Sequence, residues 1–287
     1  MSSIGTSVST GISIPIFQVD AFTDRAMWGN PAAVCPLEAW LPEPVMQSIA
    51  LENNLPETAF IVRNGDAYDL RWFTPATEVD LCGHATLGAA YVVLTHLEPD
   101  RDEVTFHSAS GPLVVARHGD LFGLTFPALE FAPVEPPLDL LRGLGPVAPS
   151  AVYRSMDYVA VYESEAQLRS VVPDLVALAA LGLRGVVITA PGDRADFCSR
   201  FFGPKLSIPE DPITGSAHCA LVPYWAQRLG KSRLRAEQYS PRLGRTLTIG
   251  LDCGLDGDRV ALSGAARPYM TGTIHLSNDD LDQNREG

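Results

Sequence analysis

Two stretches of the chain, Thr86 to Leu97 and His218 to Leu229, are dominated by apolar residues over about three turns of helix. In the first, Ala85, Leu87, Ala89, Ala90, Val92, Val93 and Leu94 leave no polar face, and a helix that is apolar nearly all round belongs inside a core. The second is alike, except that Pro223 cannot bond to the carbonyl of Cys219 and should bend the helix there. Elsewhere the pattern is shorter. Ile12 to Val19 places apolar residues at alternate positions between Gly11 and Asp20, as a strand does. Pro42 to Asn53 puts Val45, Met46, Ile49 and Ala50 on one helical face, with proline near the first helical position and a stop at Asn53-Asn54. Ala59 to Val62 begins a strand that pairs naturally with Tyr68 to Phe73. Further strands are predicted at Tyr158 to Val161, Gly185 to Ala190 and Thr271 to Leu276. Ser164-x-x-Gln167 has the form of a capping box, and an Ala/Leu-rich helix is predicted near Leu175 to Leu181.

The two apolar helices are introduced by similar strings about 130 residues apart. Arg71-Trp72-Phe73-Thr74-Pro75 leads through Glu78 to Cys82-Gly83-His84-Ala85, and Arg200-Phe201-Phe202-Gly203-Pro204 leads through Asp211 to Thr214-Gly215-Ser216-Ala217. The register persists beyond the helices, with Gly111 and Gly119-Asp120 matched by Gly244 and Gly257-Asp258. A single long-period duplication differs from the short repeats of solenoids. It predicts an α+β architecture in which mostly antiparallel strands wrap a central helix, built twice, with the polar residues at both helix starts gathered in one cleft. Prolines at positions 127, 133, 136, 137, 146 and 149 place the crossover between lobes there. The expected lobes are 14–127, completed by 270–276, and 128–269, with 1–13 and 277–287 as disordered tails.

Composition narrows the function. With 287 residues, 46% hydrophobic and 19% charged, the chain can fill two cores. No apolar run reaches the roughly 18 residues of a membrane span, and Met1 to Ser13 lacks the basic and apolar regions of a signal peptide. A cytoplasmic location is expected. Cys35, Cys82, Cys198, Cys219 and Cys253 match neither a zinc spacing nor a disulfide framework. A net charge of −13 argues against a nucleic-acid partner.

Two buried helices that start in one cleft offer backbone N–H groups and two positive dipole ends, an anion site with no Lys or Arg that suits a carboxylate. Beside them stand His84, Asp211, Ser216 and, in the loop after the first helix, Glu57. An enclosed Glu, His and Asp are equipped for proton transfer at carbon, because burial raises a carboxyl group's proton affinity toward the working pH. Each residue also has a plainer reading. Glu57 could be a solvated loop carboxylate, His84 a structural hydrogen-bonding group, and Asp211, Thr214 and Ser216 ordinary helix caps; Cys82 and Cys219 read as small buried residues.

Gly29-Asn30-Pro31-Ala32-Ala33-Val34, Leu55-Pro56-Glu57-Thr58-Ala59-Phe60, Arg71-Trp72-Phe73-Thr74-Pro75, Cys82-Gly83-His84-Ala85-Thr86 and Glu210-Asp211-Pro212-Ile213-Thr214-Gly215-Ser216-Ala217 together resemble the motif series of the PhzF (phenazine biosynthesis-like) family. The resemblance implies the diaminopimelate epimerase-like fold and an isomerase that moves a proton without metal or cofactor, typically as a homodimer in secondary metabolism such as antibiotic biosynthesis. It implies Glu57 as the acid/base, His84 and Asp211 as its polar partners, and Asn30, Gly83, Gly215 and Ser216 as substrate contacts. The chain has Ala85 after the His where the namesake isomerase has proline, so its substrate is expected to differ, within small unsaturated or hydroxylated carboxylic or amino acids. The epimerase relatives place two thiols where this chain has Gly83 and Gly215. An amino-acid racemase using Cys82 and Cys219 is one alternative, and a non-catalytic carboxylate-binding or protein-interaction module is another.

Overall fold

A computed structural model describes residues 11–206, 208–242 and 245–281. The first half begins with β1 (Ile12–Ala21), β2 (Asn30–Leu37), α1 (Glu43–Asn53), β3 (Glu57–Asn64), β4 (Ala67–Phe73) and the short β5 (Glu78–Val79). The buried helix α2 (Gly83–Val92) follows, extended by a π turn at Val93–Leu97, and then β6 (Glu103–Ser108), β7 (Gly111–His118) and β8 (Leu121–Pro127). The second half holds β9 (Ala132–Pro133), α3 (Leu138–Leu144), β10 (Ala151–Arg154), β11 (Tyr158–Val161), α4 (Glu165–Ser170), α5 (Leu175–Ala179), β12 (Val186–Pro191), β13 (Phe197–Gly203) and β14 (Ile208–Asp211). Its buried helix is α6 (Gly215–Leu229), followed by β15 (Arg233–Arg242), β16 (Arg245–Asp256), β17 (Arg259–Leu276) and the one-turn α7 (Asn278–Leu281).

The duplication seen in the residues is a duplication of strand pairing. From β1 through β2, β3, β4, β6, β7 and β8 the neighbours are antiparallel, parallel, antiparallel, parallel, antiparallel and antiparallel. From β10 through β11, β12, β13, β15, β16 and β17 the same order recurs. The first parallel step of each half is the crossover that carries α1 between β2 and β3, or α4 and α5 between β11 and β12, and the second carries the buried helix, α2 between β4 and β6 or α6 between β13 and β15. Strands β8 and β17 join the halves, Leu121 to Pro127 pairing with Ala265 to Arg259. Each then crosses over. The chain leaving β8 pairs as β9 with β10, and β17 from Ala266 onward pairs with β1.

Alternation along the strands lines the space round the helices. Phe122, Leu124 and Phe126 of β8 and Val260, Leu262 and Ala266 of β17 are buried, while their neighbours are less so. A helix can enter so crowded a space only if its residues are small. A Cβ added at Gly88 would meet Val19, Val34 and Ala32 at 3.7–3.9 Å, ordinary contact that leaves no room for more.

Helix α6 runs through Pro223 to Leu229 as one continuous element. The carbonyl of Cys219, which Pro223 cannot serve, accepts the N–H of Leu129 at 2.9 Å, so the vacancy in the helix ladder holds the segment that joins the halves. That proline-rich segment, read from sequence as a plain crossover, also contains α3 and leads directly into β10. Pro137 stands at the start of α3, where no N–H is needed, and Gly145 at φ 85° ends it.

The predicted tails also need correction. Ile12 and Ser13 pair with Leu276 and His275, and α7 packs Leu281 in the cluster that holds Ile12 and Leu276. Of the matched glycines, Gly244 lies outside the described residues, as do 1–10 and 282–287.

Candidate active site

The two buried helices start against each other. A Cβ built on Gly83 would lie 3.8 Å from the Cα of Gly215, and one on Gly215 would lie 3.8 Å from the Cα of Gly83. Their N-caps, Cys82 and Thr214, are extended, and neither side chain caps its helix. The first-turn donors and both positive helix ends therefore face one cleft, of about 610 Å³.

Glu57, the first residue of β3, is buried beside this junction, its Oε2 3.0 Å from Nε2 of His84. The two atoms are close but not aligned for a hydrogen bond, and neither has another partner among the described residues. Both residues line the cleft. The other ring nitrogen of His84, Nδ1, lies 3.4 Å from Cys82 Sγ and 3.3 Å from Asn30 Nδ2. Asn30 opens β2 and donates through Nδ2 to Asp211 Oδ1 at 2.9 Å, while Asp211 Oδ2 accepts from Thr214 Oγ1 at 2.6 Å. Gln238 of β15 completes the chain. It accepts the Thr214 N–H at 3.1 Å and donates to the Asp211 carbonyl at 2.9 Å. One polar line thus runs from Glu57 in the first half to Gln238 in the second.

Burial alone would lower the proton affinity of His84; the Glu57 carboxylate 3.0 Å from its Nε2 opposes this and holds it above the usual imidazole range. Burial pushes Asp211 up to about 6, against the opposing pull of His84, Thr214 and Asn30. Burial, and then the Glu57 carboxylate, raise the Cys82 thiol, so it is no ready nucleophile. Glu57, Cys82 and His84 offer ligand atoms within 4.8 Å of one another. Yet the thiol faces Nδ1 and the carboxylate faces Nε2, so one ion could not draw on all three unless the ring turned.

Of the residues singled out in the sequence, Glu57, His84, Asn30 and Asp211 come together, and Gly83, Gly215 and Ser216 line the same cleft. Three readings change. Asp211 does not correspond to Glu78: the mate of Glu78 is Glu210, because Arg71 binds Glu78 as Arg200 binds Glu210, each through Nε and Nη2. The cleft is not free of cations, since Arg184 and Lys205 line it. Nor do Cys82 and Cys219 face each other across it; Cys219 Sγ turns back to the Gly215 carbonyl at 3.5 Å, and burial pushes that thiol up to about 12. Arg184, Asp157 and Gln238 were not anticipated. Arg184 had a signal, for it precedes Gly185 as Pro56 precedes Glu57 in the duplicated half.

The model of the family described as phenazine biosynthesis-like protein matches residues 19–272. The chain belongs to that family. It is 51% identical over 266 residues to an uncharacterized isomerase of Pseudomonas aeruginosa, covering 92% of this chain and all of that one. Among solved structures it is similar to a phenazine biosynthesis protein of the PhzF family from Enterococcus faecalis, with TM-score 0.88 and 43% identity over 92% of this chain and all of the other. At 10% identity a hydroxyproline epimerase from Agrobacterium vitis, with TM-score 0.56 over 92% of each chain, shares the fold alone. The phenazine biosynthesis-like chain thus has the diaminopimelate epimerase-like fold.

Proposed function

We propose that this family member is a cofactor-independent isomerase that moves a proton, and with it a double bond, within a small unsaturated or hydroxylated carboxylic acid or amino acid. The observation that carries the reading is the pair Glu57 and His84, buried 3.0 Å apart with unpartnered polar atoms beside two abutting helix starts. The substrate carboxylate sits at the N–H donors of Gly83, Gly215 and their neighbours. Glu57 removes a proton alpha or vinylogous to it; the C–H electrons shift toward the carboxylate or carbonyl, where the helix starts stabilise the developing negative charge. The carboxyl group so formed returns the proton at another carbon, leaving the double bond moved and Glu57 ionised again. His84 orients Glu57 and holds charge beside it, and Asp211 fixes Asn30 across the junction.

The names of the relatives support an isomerase in secondary metabolism. No helix among the described residues is long and apolar enough to cross a membrane. A homodimer fits this reading, because beyond Ala265 one edge of β17 carries no strand among the described residues; a cytoplasmic location is proposed with it. Light scattering on the purified protein tests the dimer. Proton NMR of candidate unsaturated amino and hydroxy acids in D₂O tests the activity: deuterium entering carbon with the wild type and not with Glu57→Gln is expected. No exchange and no product, with compounds shown to bind, would leave a carboxylate-binding protein.

A further inference from the structure

In the first half, the start of a strand faces the start of the buried helix through Glu57 and His84. The duplication has built the same juxtaposition in the second half with different chemistry. Val186 stands opposite Phe202 as Thr58 stands opposite Phe73, which sets Gly185 in the place of Glu57 and Arg184 in the place of Pro56. Ser216, next after Gly215, takes the place of His84. Arg184 Nη2 donates to Ser216 Oγ at 2.9 Å.

This guanidinium is held in place. Asp157, just ahead of β11 and 3% exposed, accepts from Arg184 Nε at 3.0 Å and from Nη2 at 2.6 Å, and the ring of Phe201 lies 5.6 Å from its centre. An arginine only donates, so its bond to Ser216 fills an acceptor lone pair of the hydroxyl. The hydroxyl proton must then point elsewhere. Ser216 Oγ has no other hydrogen-bond partner among the described residues, and both Ser216 and Arg184 line the cleft.

We propose that Arg184 is a positioning residue, clamped by Asp157, that fixes Ser216 as a hydrogen-bond donor to the substrate's carboxylate. The proposal rests on the reading that the cleft takes a carboxylate, and it deepens that reading. The two halves divide the work: the first supplies the group that moves the proton, the second the donor that holds the charge.

The test is titration of the full chain with benzoate and with uncharged benzamide, followed by amide NMR signals, for wild type, Arg184→Gln, Arg184→Lys, Ser216→Ala and the Arg184→Gln/Ser216→Ala double variant. Wild type should prefer benzoate. Arg184→Gln and Ser216→Ala should each weaken benzoate about tenfold, the double variant no more than about twofold further, since residues acting through one another are not additive. Arg184→Lys should recover part of the preference, which a purely structural role would not explain. Because Arg184→Gln strands a buried carboxylate, Arg184→Gln/Asp157→Asn provides the same comparison without an unpaired charge. Losses that multiply in the double variant would overturn the role of Arg184 while leaving the carboxylate seat standing. A wild type that binds benzoate no better than benzamide would overturn the seat itself, and this proposal with it.

Discussion

Gly83 and Gly215 meet across the cleft with nothing between their Cα atoms that belongs to either side chain, and a methyl group on either would face the other at ordinary contact distance. Gly83→Ala and Gly215→Ala should therefore fold, since the nearest atoms to the new Cβ lie at 3.5–3.8 Å. Each methyl would occupy the space in front of the helix donors. Carboxylate affinity should fall at least about tenfold, or ~1.4 kcal/mol, with little change in the unfolding midpoint. Calorimetry of binding and of unfolding on the same samples checks both halves of this expectation.

Glu57→Gln keeps the shape of the acid/base and removes its function. The exchange rate at substrate carbon should drop by about 10²–10⁴, the usual worth of a general base, while binding of unreacted acid changes little. Deuterium incorporation followed by NMR or mass spectrometry is the readout. A variant that exchanges at the wild-type rate would remove Glu57 from the mechanism.

Two buried groups titrate with opposite consequences for stability. Asp211 holds its proton up to about 6 in the fold against an ordinary 3.8. Its contribution is complete below the ordinary value and is lost as pH rises through 6. His218 is lowered by burial to about 4 from 6.5, so its contribution is present above 6.5 and is lost as pH falls toward 4. Relative to Asp211→Asn, the wild type should gain about 3 kcal/mol between pH 7 and pH 4; relative to His218→Asn, it should lose a similar amount. Denaturant unfolding at four or five pH values separates the two.

The matched ion pairs should differ in worth. Arg200 and Glu210 are each 9% exposed in their side chains, and Arg200 also donates to the carbonyls of Leu168 and Val171. Arg71 and Glu78 are 29% and 32% exposed. Arg200→Met should cost about 3–5 kcal/mol, because it strands a buried carboxylate. Arg71→Met should cost about 1 kcal/mol or less. Equal losses in urea unfolding would contradict this ranking.

What could be read in the residues was whatever the chain states locally. The apolar helices, the turn glycines and the motif holding Glu57 are contiguous strings, and each marks where an element starts or stops. The sequence did not disclose partners brought in by strand pairing. Gln238 reaches Thr214 only because β15 pairs in parallel with β13, and Arg184 reaches Ser216 only because β12 lies on the far side of β13. Asp211 was aligned with Glu78 because both are acidic and precede a helix, whereas the pairing of each arginine with its own glutamate shows Glu210 to be the counterpart. Pro223 reads in the sequence only as a bend in its helix, because Leu129, which takes the carbonyl it leaves open, comes from a distant part of the chain.

The crossing of the chain after β8 and within β17 makes each half depend on the other. Each half begins with a strand, β1 or β10, whose outer neighbour arrives from the chain that has just left the other half. A gene encoding either half alone would yield a sheet with its first strand half-paired and one wall of its cleft missing. The two helix starts can therefore differ, histidine in one and serine in the other, and the two strand starts likewise, glutamate against glycine, while neither copy can be spared. Asymmetry, once begun, had to be inherited by the whole.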